Sequence, residues 1–94
     1  LLKENEREIA SNIYRILKES IELTDKLNVS DLHDKVVNEI NSIEGLKVEY
    51  FEIVDGNTLL PVHQWNDSPY VVGCITVYCG QTPIRLIDHI KYKG

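Results

Sequence analysis

Leu46-Lys47-Val48-Glu49-Tyr50-Phe51-Glu52-Ile53-Val54, closed by Asp55-Gly56-Asn57, is where the chain changes character. The run over residues 47–54 is rich in β-branched and aromatic side chains, and Asp-Gly-Asn is a strong turn signal, so the pair reads as a strand and its exit. Two further runs of this kind follow, residues 70–78 and 84–91. The connection between the first two contains Pro61, Trp65 and Pro69 and cannot be a regular central strand. The connection between the last two, residues 80–83, is short enough for a hairpin. Strands that follow one another without helices between them pair antiparallel.

Upstream of Gly45 the period is helical. Over residues 3–26, Ile9, Ala10, Ile13, Tyr14, Leu17 and Ile21 recur at the three-and-four spacing that gathers side chains on one helix face. Glu4, Glu6 and Glu8 complement the helix dipole at its start. Asn28 suits a left-handed helix end, and Ser30 or Asp31 suits the N-cap of a second helix. Leu32, Val36, Ile40 and Ile43 form that helix's apolar stripe, and Gly45 supplies its stop. The predicted fold is α+β: two N-terminal helices packed by their stripes on a three-stranded antiparallel sheet.

Residues 1–94 form a single domain, and a chain this short buries only about 60 to 65% of its unfolded surface, so the core is thin. With 43% hydrophobic and 27% charged residues, the composition is that of a folded domain. Fifteen acidic against ten basic residues give a net charge of −5, which repels a phosphate backbone and argues against nucleic acid. The longest apolar stretch, residues 70–79, is about half of what a membrane-spanning helix needs, and no signal-peptide pattern opens the sequence. The expected location is the cytoplasm. Asn28-Val29-Ser30 and Asn66-Asp67-Ser68 fit the glycosylation pattern and are given no weight in that setting.

Candidate chemistry is sparse. His33, His63 and His89 lack the paired spacing of a metal site, and His33 is expected on a solvated helix face. Cys74 and Cys79 are five apart on one strand, hence on opposite faces, and read as small core residues rather than nucleophiles or a disulfide. Arg85 and Asp88, three apart, also face opposite sides and must find partners elsewhere. Trp65 reads either as a binding-loop aromatic or as the anchor of its loop. Gly73 and Gly80 are isolated and open no helix, so no phosphate loop is present. An acid-base pair of Asp88 and His89 would need a bulge, because adjacent strand residues point apart. Composition and periodicity leave a free-standing interaction or regulatory module, using an exposed edge or apolar patch, as an open reading.

A resemblance narrows the choice. The order Glu49-Tyr50, Val54-Asp55, Thr58-Leu59, Pro61-Val62 resembles the pattern of the pantothenate synthetase family, in which an acidic-Tyr strand leads to Val-Asp, Thr-Leu and Pro-Val. Arg85-Leu86-Ile87-Asp88 is similar to that family's closing Thr-Arg-Leu-Ile-Asp-Asn, with His89 replacing the final Asn. Gln81-Thr82-Pro83-Ile84 departs from the usual Gly-x-Thr-Arg. The stretch 2–14 resembles the one that follows the family's Ser-Ser-Arg-Asn signature.

The resemblance implies the C-terminal domain of an ATP-dependent ligase that joins pantoate to β-alanine through a pantoyl adenylate. It also implies that the nucleotide-binding domain is absent from this chain, that ATP and magnesium belong to the full-length enzyme, and that this domain alone binds no cofactor and is inactive. Its expected role is a lid with no catalytic residue of its own. The expected partner is the nucleotide-binding domain of the same enzyme, met through the sheet face or the loops at 61–69 and 80–83, and the isolated piece could self-associate through uncovered apolar surface. Tyr50, Asp55, Thr58, Leu59, Pro61, Arg85 and Asp88 are the family-motif residues, expected to serve structure or closure.

Overall fold

The computed structural model describes residues 4–80 and 84–94. Two helices, α1 (Glu4–Ile21) and α2 (Val29–Asn41), precede strands β1 (Leu46–Asp55), β2 (Val71–Cys79) and β3 (Ile84–Lys93), with a short 3-10 turn at Trp65–Asp67. The strands form one antiparallel sheet in the order β1-β2-β3. This is the α+β architecture that the switch of period at Gly45 predicts. The connection expected at 80–83 falls largely on residues 81–83, outside the described residues.

α1 buries a face turned from the expected one. Ile13, Ile16 and Leu17 are buried with Ser20, whereas Tyr14 is half exposed and Ile21 only borders the core. Ser20 enters the core because its hydroxyl meets Tyr92 Oη at 2.8 Å, a partner on β3 that offsets the cost of burying a polar atom. The helix also ends at Ile21 rather than near Lys26. The next amides tighten to i−3 acceptors, Glu22 N–H to Glu19 O at 3.1 Å and Leu23 N–H to Ser20 O at 3.0 Å.

Asn28 is not a left-handed helix end. It is the N-cap of α2, extended at φ −73° and ψ 172°, with its side chain accepting the Asp31 N–H at 2.7 Å. The two roles draw on the same short amide side chain, and the start of α2 wins. Val29, Leu32, Val36 and Ile40 are buried along that helix, while Ile43 lies beyond its end and packs at the core margin. Gly45, at φ 92°, takes the left-handed turn into β1.

Both helices lie on one face of the sheet and share a core with Phe51, Ile53, Val71, Ile75, Val77, Cys79, Ile90 and Tyr92. Gly73 in β2 is required by this packing: a Cβ there would stand 2.7 Å from Tyr92 Cε2 and 3.1 Å from Phe51 Cε1. Cys79 is buried in the core and Cys74 is half buried on the opposite side, so the two sulfurs are separated by the sheet as expected. No described helix is long and apolar enough to cross a membrane.

Candidate functional site

One face of the sheet is left without a helical layer, and the alternation of the strands decides which side chains stand on it. On β1 that alternation is interrupted. The register shifts between Val48 and Tyr50, so Glu49 is the extra residue of a bulge and the strand's phase moves by one there. Val48 borders the core before the bulge, and Phe51 and Ile53 enter it afterwards. Tyr50 and Glu52 therefore turn to the uncovered face. Cross-strand pairing extends that face in rows, Tyr50 with Thr76 and Ile87, Glu52 with Cys74 and His89, and Tyr78 with Arg85.

The uncovered face has a charged end and an apolar middle. Arg85 Nε lies 3.3 Å from Glu49 Oε2, its Nη2 donates to Tyr78 Oη at 3.3 Å, and its guanidinium sits 5.6 Å from the centre of the Tyr78 ring. The Tyr78 hydroxyl first and the Glu49 carboxylate second raise the Arg85 pKa, holding the guanidinium charged. Beside this ladder, Tyr50 is 43% exposed and Ile87 is 79% exposed. Desolvation, followed by a bond to Glu52, pushes the Tyr50 phenol above its ordinary range.

Asp55, Thr58, Leu59 and Pro61 build the turn that leaves β1. The Asp55 carboxylate accepts the Asn57 and Thr58 N–H groups at 2.7 and 3.1 Å, and its carbonyl accepts the Leu59 N–H at 2.8 Å. The Asn57 amide first, then Ser68 and the Thr58 amide, hold the Asp55 carboxyl below its usual range. Pro61 then pairs with Val54 in a short bridge. Closing so tightly forces Leu59 to φ 62°, a left-handed conformation that costs a Cβ-bearing residue about 1 to 2 kcal/mol. Leu59 and Leu60 are each 65% exposed at the tip. Leu59→Gly is expected to stabilise the isolated domain by up to about 1 kcal/mol once glycine's entropy is set against the relieved strain, seen as a higher urea midpoint. A lower midpoint would show instead that the leucine side chain packs on the domain.

The remaining sequence candidates are dispersed. Asp88 lies half buried on the opposite face from Arg85, and its Oδ1 accepts the His89 N–H at 2.8 Å. His89 is exposed on the uncovered face, so the Asp88–His89 acid-base arrangement has no shared side on which to act. His33 keeps part of its side chain in water, its Nδ1 meeting Asp34 at 3.1 Å, but its ring also stacks on Phe51 at 5.3 Å and its Nε2 meets the Phe51 carbonyl at 2.9 Å. The free edge of β1 recruits it. Trp65 anchors its loop, donating Nε1–H to Leu27 O at 2.8 Å and packing on Tyr92 at 5.5 Å. Asp67 fixes the same loop by accepting the His63 and Gln64 N–H groups, which lower its pKa. Among the described residues, no group of three or more His, Cys, Asp or Glu is placed to hold a metal ion.

Glu49, Tyr78 and Ile87 complete the face, and reading the sequence alone does not single them out. The period-two pairing of Ile87 with Arg85 is the available signal, but the bulge that brings Glu49 to Arg85 has no sequence mark of its own.

Residues 1–91 match the family model described as pantoate-beta-alanine ligase. The chain belongs to this family. Among curated relatives, it is 52% identical to the pantothenate synthetase of Bacteroides thetaiotaomicron over 92 residues, covering 98% of this chain and 32% of that protein. It is 47% identical to the pantothenate synthetase of Porphyromonas gingivalis over 92 residues, with the same coverage of 98% and 32%. The crystal structure of pantothenate synthetase from Thermus thermophilus superposes with a TM-score of 0.82 at 22% identity, covering 99% of this chain and 33% of that one, a match of fold. The chain thus spans about a third of the length of the curated relatives it matches.

Proposed function

We propose that this domain is the lid of a cytoplasmic pantothenate synthetase, which makes pantothenate from pantoate, β-alanine and ATP through a pantoyl adenylate, and that the 94-residue chain is inactive alone. The alignment carries the reading: 98% of the chain falls on 32% of a relative named pantothenate synthetase, at 52% identity.

Among the described residues, none forms a site that would fit ATP or magnesium. Neither Gly73 nor Gly80 opens a helix, and the described carboxylates form no metal-binding group. No step of the ligation is therefore assigned to them, and ATP and magnesium fall to the nucleotide-binding partner domain. What this domain offers is a surface. A mixed anhydride survives for attack by the amine only where water is kept out, and closure of a small domain over the site supplies that exclusion. The uncovered sheet face, with Tyr50 and Ile87 exposed beside the Glu49–Tyr78–Arg85 ladder, and the Leu59–Leu60 tip have the apolar centre and polar rim of a surface that docks on another domain.

The test mixes this chain with a separately expressed nucleotide-binding domain ending at the Ser-Ser-Arg-Asn signature and assays pantothenate formation from ATP, pantoate and β-alanine with magnesium. Turnover in the mixture, with neither piece active alone, is the expected result. Turnover by the 94-residue chain alone overturns the reading. If only a covalently joined enzyme turns over, Ile87→Glu in that enzyme is expected to cut turnover by up to about a hundredfold and to raise adenylate hydrolysis. Wild-type values for both would remove the sheet face from the lid.

A further inference from the structure

The sheet has two edges, and they are treated differently. Along β1 the free edge is closed four times: Asn41 Oδ1 accepts the Val48 N–H at 2.8 Å, His33 Nε2 meets the Phe51 carbonyl at 2.9 Å, the Val62 N–H donates to Ile53 O at 3.1 Å, and the Asp55 N–H donates to Leu60 O at 2.9 Å. The bulge at Glu49 adds a further irregularity. These are the devices by which natural sheets keep an edge from recruiting another strand.

β3 (Ile84–Lys93) is a 10-residue edge strand without such a cover. Alternate residues of an antiparallel edge turn their N–H and C=O groups outward. Among the described residues, no backbone bond runs from β3 to any segment beyond the sheet. Its guard is the side chain of Asp88, which takes the His89 N–H. The strand is also charged against the sign of the molecule. In a chain of net charge −5, the solvent-side positions of β3 read Arg85, Ile87, His89, Lys91, with two fixed cations three same-face positions apart.

That pattern disfavours a second copy of this chain as the occupant. If β3 paired with a second copy about Asp88, Arg85 would stand opposite Lys91 of the second copy. Shifted to centre on His89, the pairing sets two imidazoles face to face and places Ile87 against Lys91. Like charges directly opposite destabilise a strand pair, whereas opposite charges stabilise it. We propose that the β3 edge accepts an extended acidic segment of a partner protein as a fourth strand, with carboxylates opposite Arg85 and Lys91, and that Asp88 guards the edge until the segment displaces it from the His89 amide. The inference shares Arg85 and Ile87 with the lid reading but rests on the backbone edge of β3, which the lid reading does not use.

The probe is an acetylated, amidated decapeptide alternating glutamate with threonine, set against its lysine-threonine counterpart, with amide hydrogen exchange followed residue by residue on the 94-residue chain. The net charge of the chain alone would favour the lysine peptide, so preference for glutamate reports the local pattern. The glutamate peptide is expected to slow exchange at Ile87, His89 and Lys91 without changing β1, and to bind roughly tenfold more tightly than the lysine peptide. The exposed double change His89→Glu with Lys91→Glu is expected to reverse that preference, and Asp88→Ala to tighten glutamate-peptide binding roughly threefold. Equal or tighter binding of the lysine peptide, or no protection along β3, overturns the proposal. Protection that grows with protein concentration in the absence of peptide would assign the edge to a second copy and overturn it equally.

Discussion

Leu17→Ala should lower the unfolding free energy of the domain by about 2 to 5 kcal/mol, enough to bring it close to the limit of folding. Leu17 has no exposed surface and sits in the same cluster as Leu32, Ile40 and Ile75, which are also sealed from water. Removing its branched end deletes transfer free energy and leaves a cavity that a two-layer core has little means to collapse. For a chain of this size each kilocalorie moves the thermal midpoint by about 4 to 8 °C, so a fall of at least about 8 °C is expected. Tyr14→Ala is the paired measurement, because Tyr14 lies three residues earlier with half its surface in water. It should change stability by no more than about 0.5 kcal/mol. A larger loss from Tyr14→Ala than from Leu17→Ala would mean that α1 presents a different face to the sheet.

That comparison probes the point where a reading of α1 from sequence goes astray. Apolar periodicity finds the helix, and Ile13 and Leu17 with it, because a 3.6-residue repeat is a local property. It assigns Tyr14 to the stripe and passes over Ser20, since the reason to bury a serine stands on the third strand, at Tyr92. His33 is misread in part for a related reason. Nothing on α2 marks it, and its partner is a backbone carbonyl on an edge strand that exists only once β1 has paired. Asn28 fails differently: its side chain suits both ends of a helix, and the choice depends on where the preceding turn tightens.

The candidate face was legible in its residues and illegible in its geometry. Tyr50 and Arg85 both stand out in the family motifs, yet a strict period of two over residues 47–54 would align Val48 with Tyr50 and set Glu49 with Phe51. The bulge breaks that alternation, so Val48 borders the core, Tyr50 faces water, and Glu49 reaches Arg85 across Tyr78. The Asp55 turn, by contrast, announces itself through Asp-Gly-Asn, and only the left-handed strain on Leu59 is added by the structure.

Alkaline pH should destabilise this domain through Tyr92. Burial against the helices pushes its pKa from 10.0 up to about 12, and the bond to Ser20 opposes the shift only in part. A phenol is neutral when protonated, so a raised folded value means that the fold favours the protonated form. This contribution is therefore whole below pH 10, falls as pH rises from 10 to about 12, and is gone above that. Two pH units of difference correspond to about 3 kcal/mol. Tyr92→Phe separates this from the titration of the exposed tyrosines. Below about pH 10 the variant should be less stable by about 1 kcal/mol, because the Tyr92–Ser20 bond is lost and Ser20 keeps only the Leu17 carbonyl. Near about pH 11, where the wild-type loss from Tyr92 ionisation passes about 1 kcal/mol, the order should invert, since phenylalanine has no charge to bury. Urea midpoints measured from about pH 8 to about pH 12.5 should cross for the two proteins. Parallel curves would show that the phenolate of Tyr92 reaches water without unfolding the sheet, and hence that the contact between α1 and β3 opens on its own.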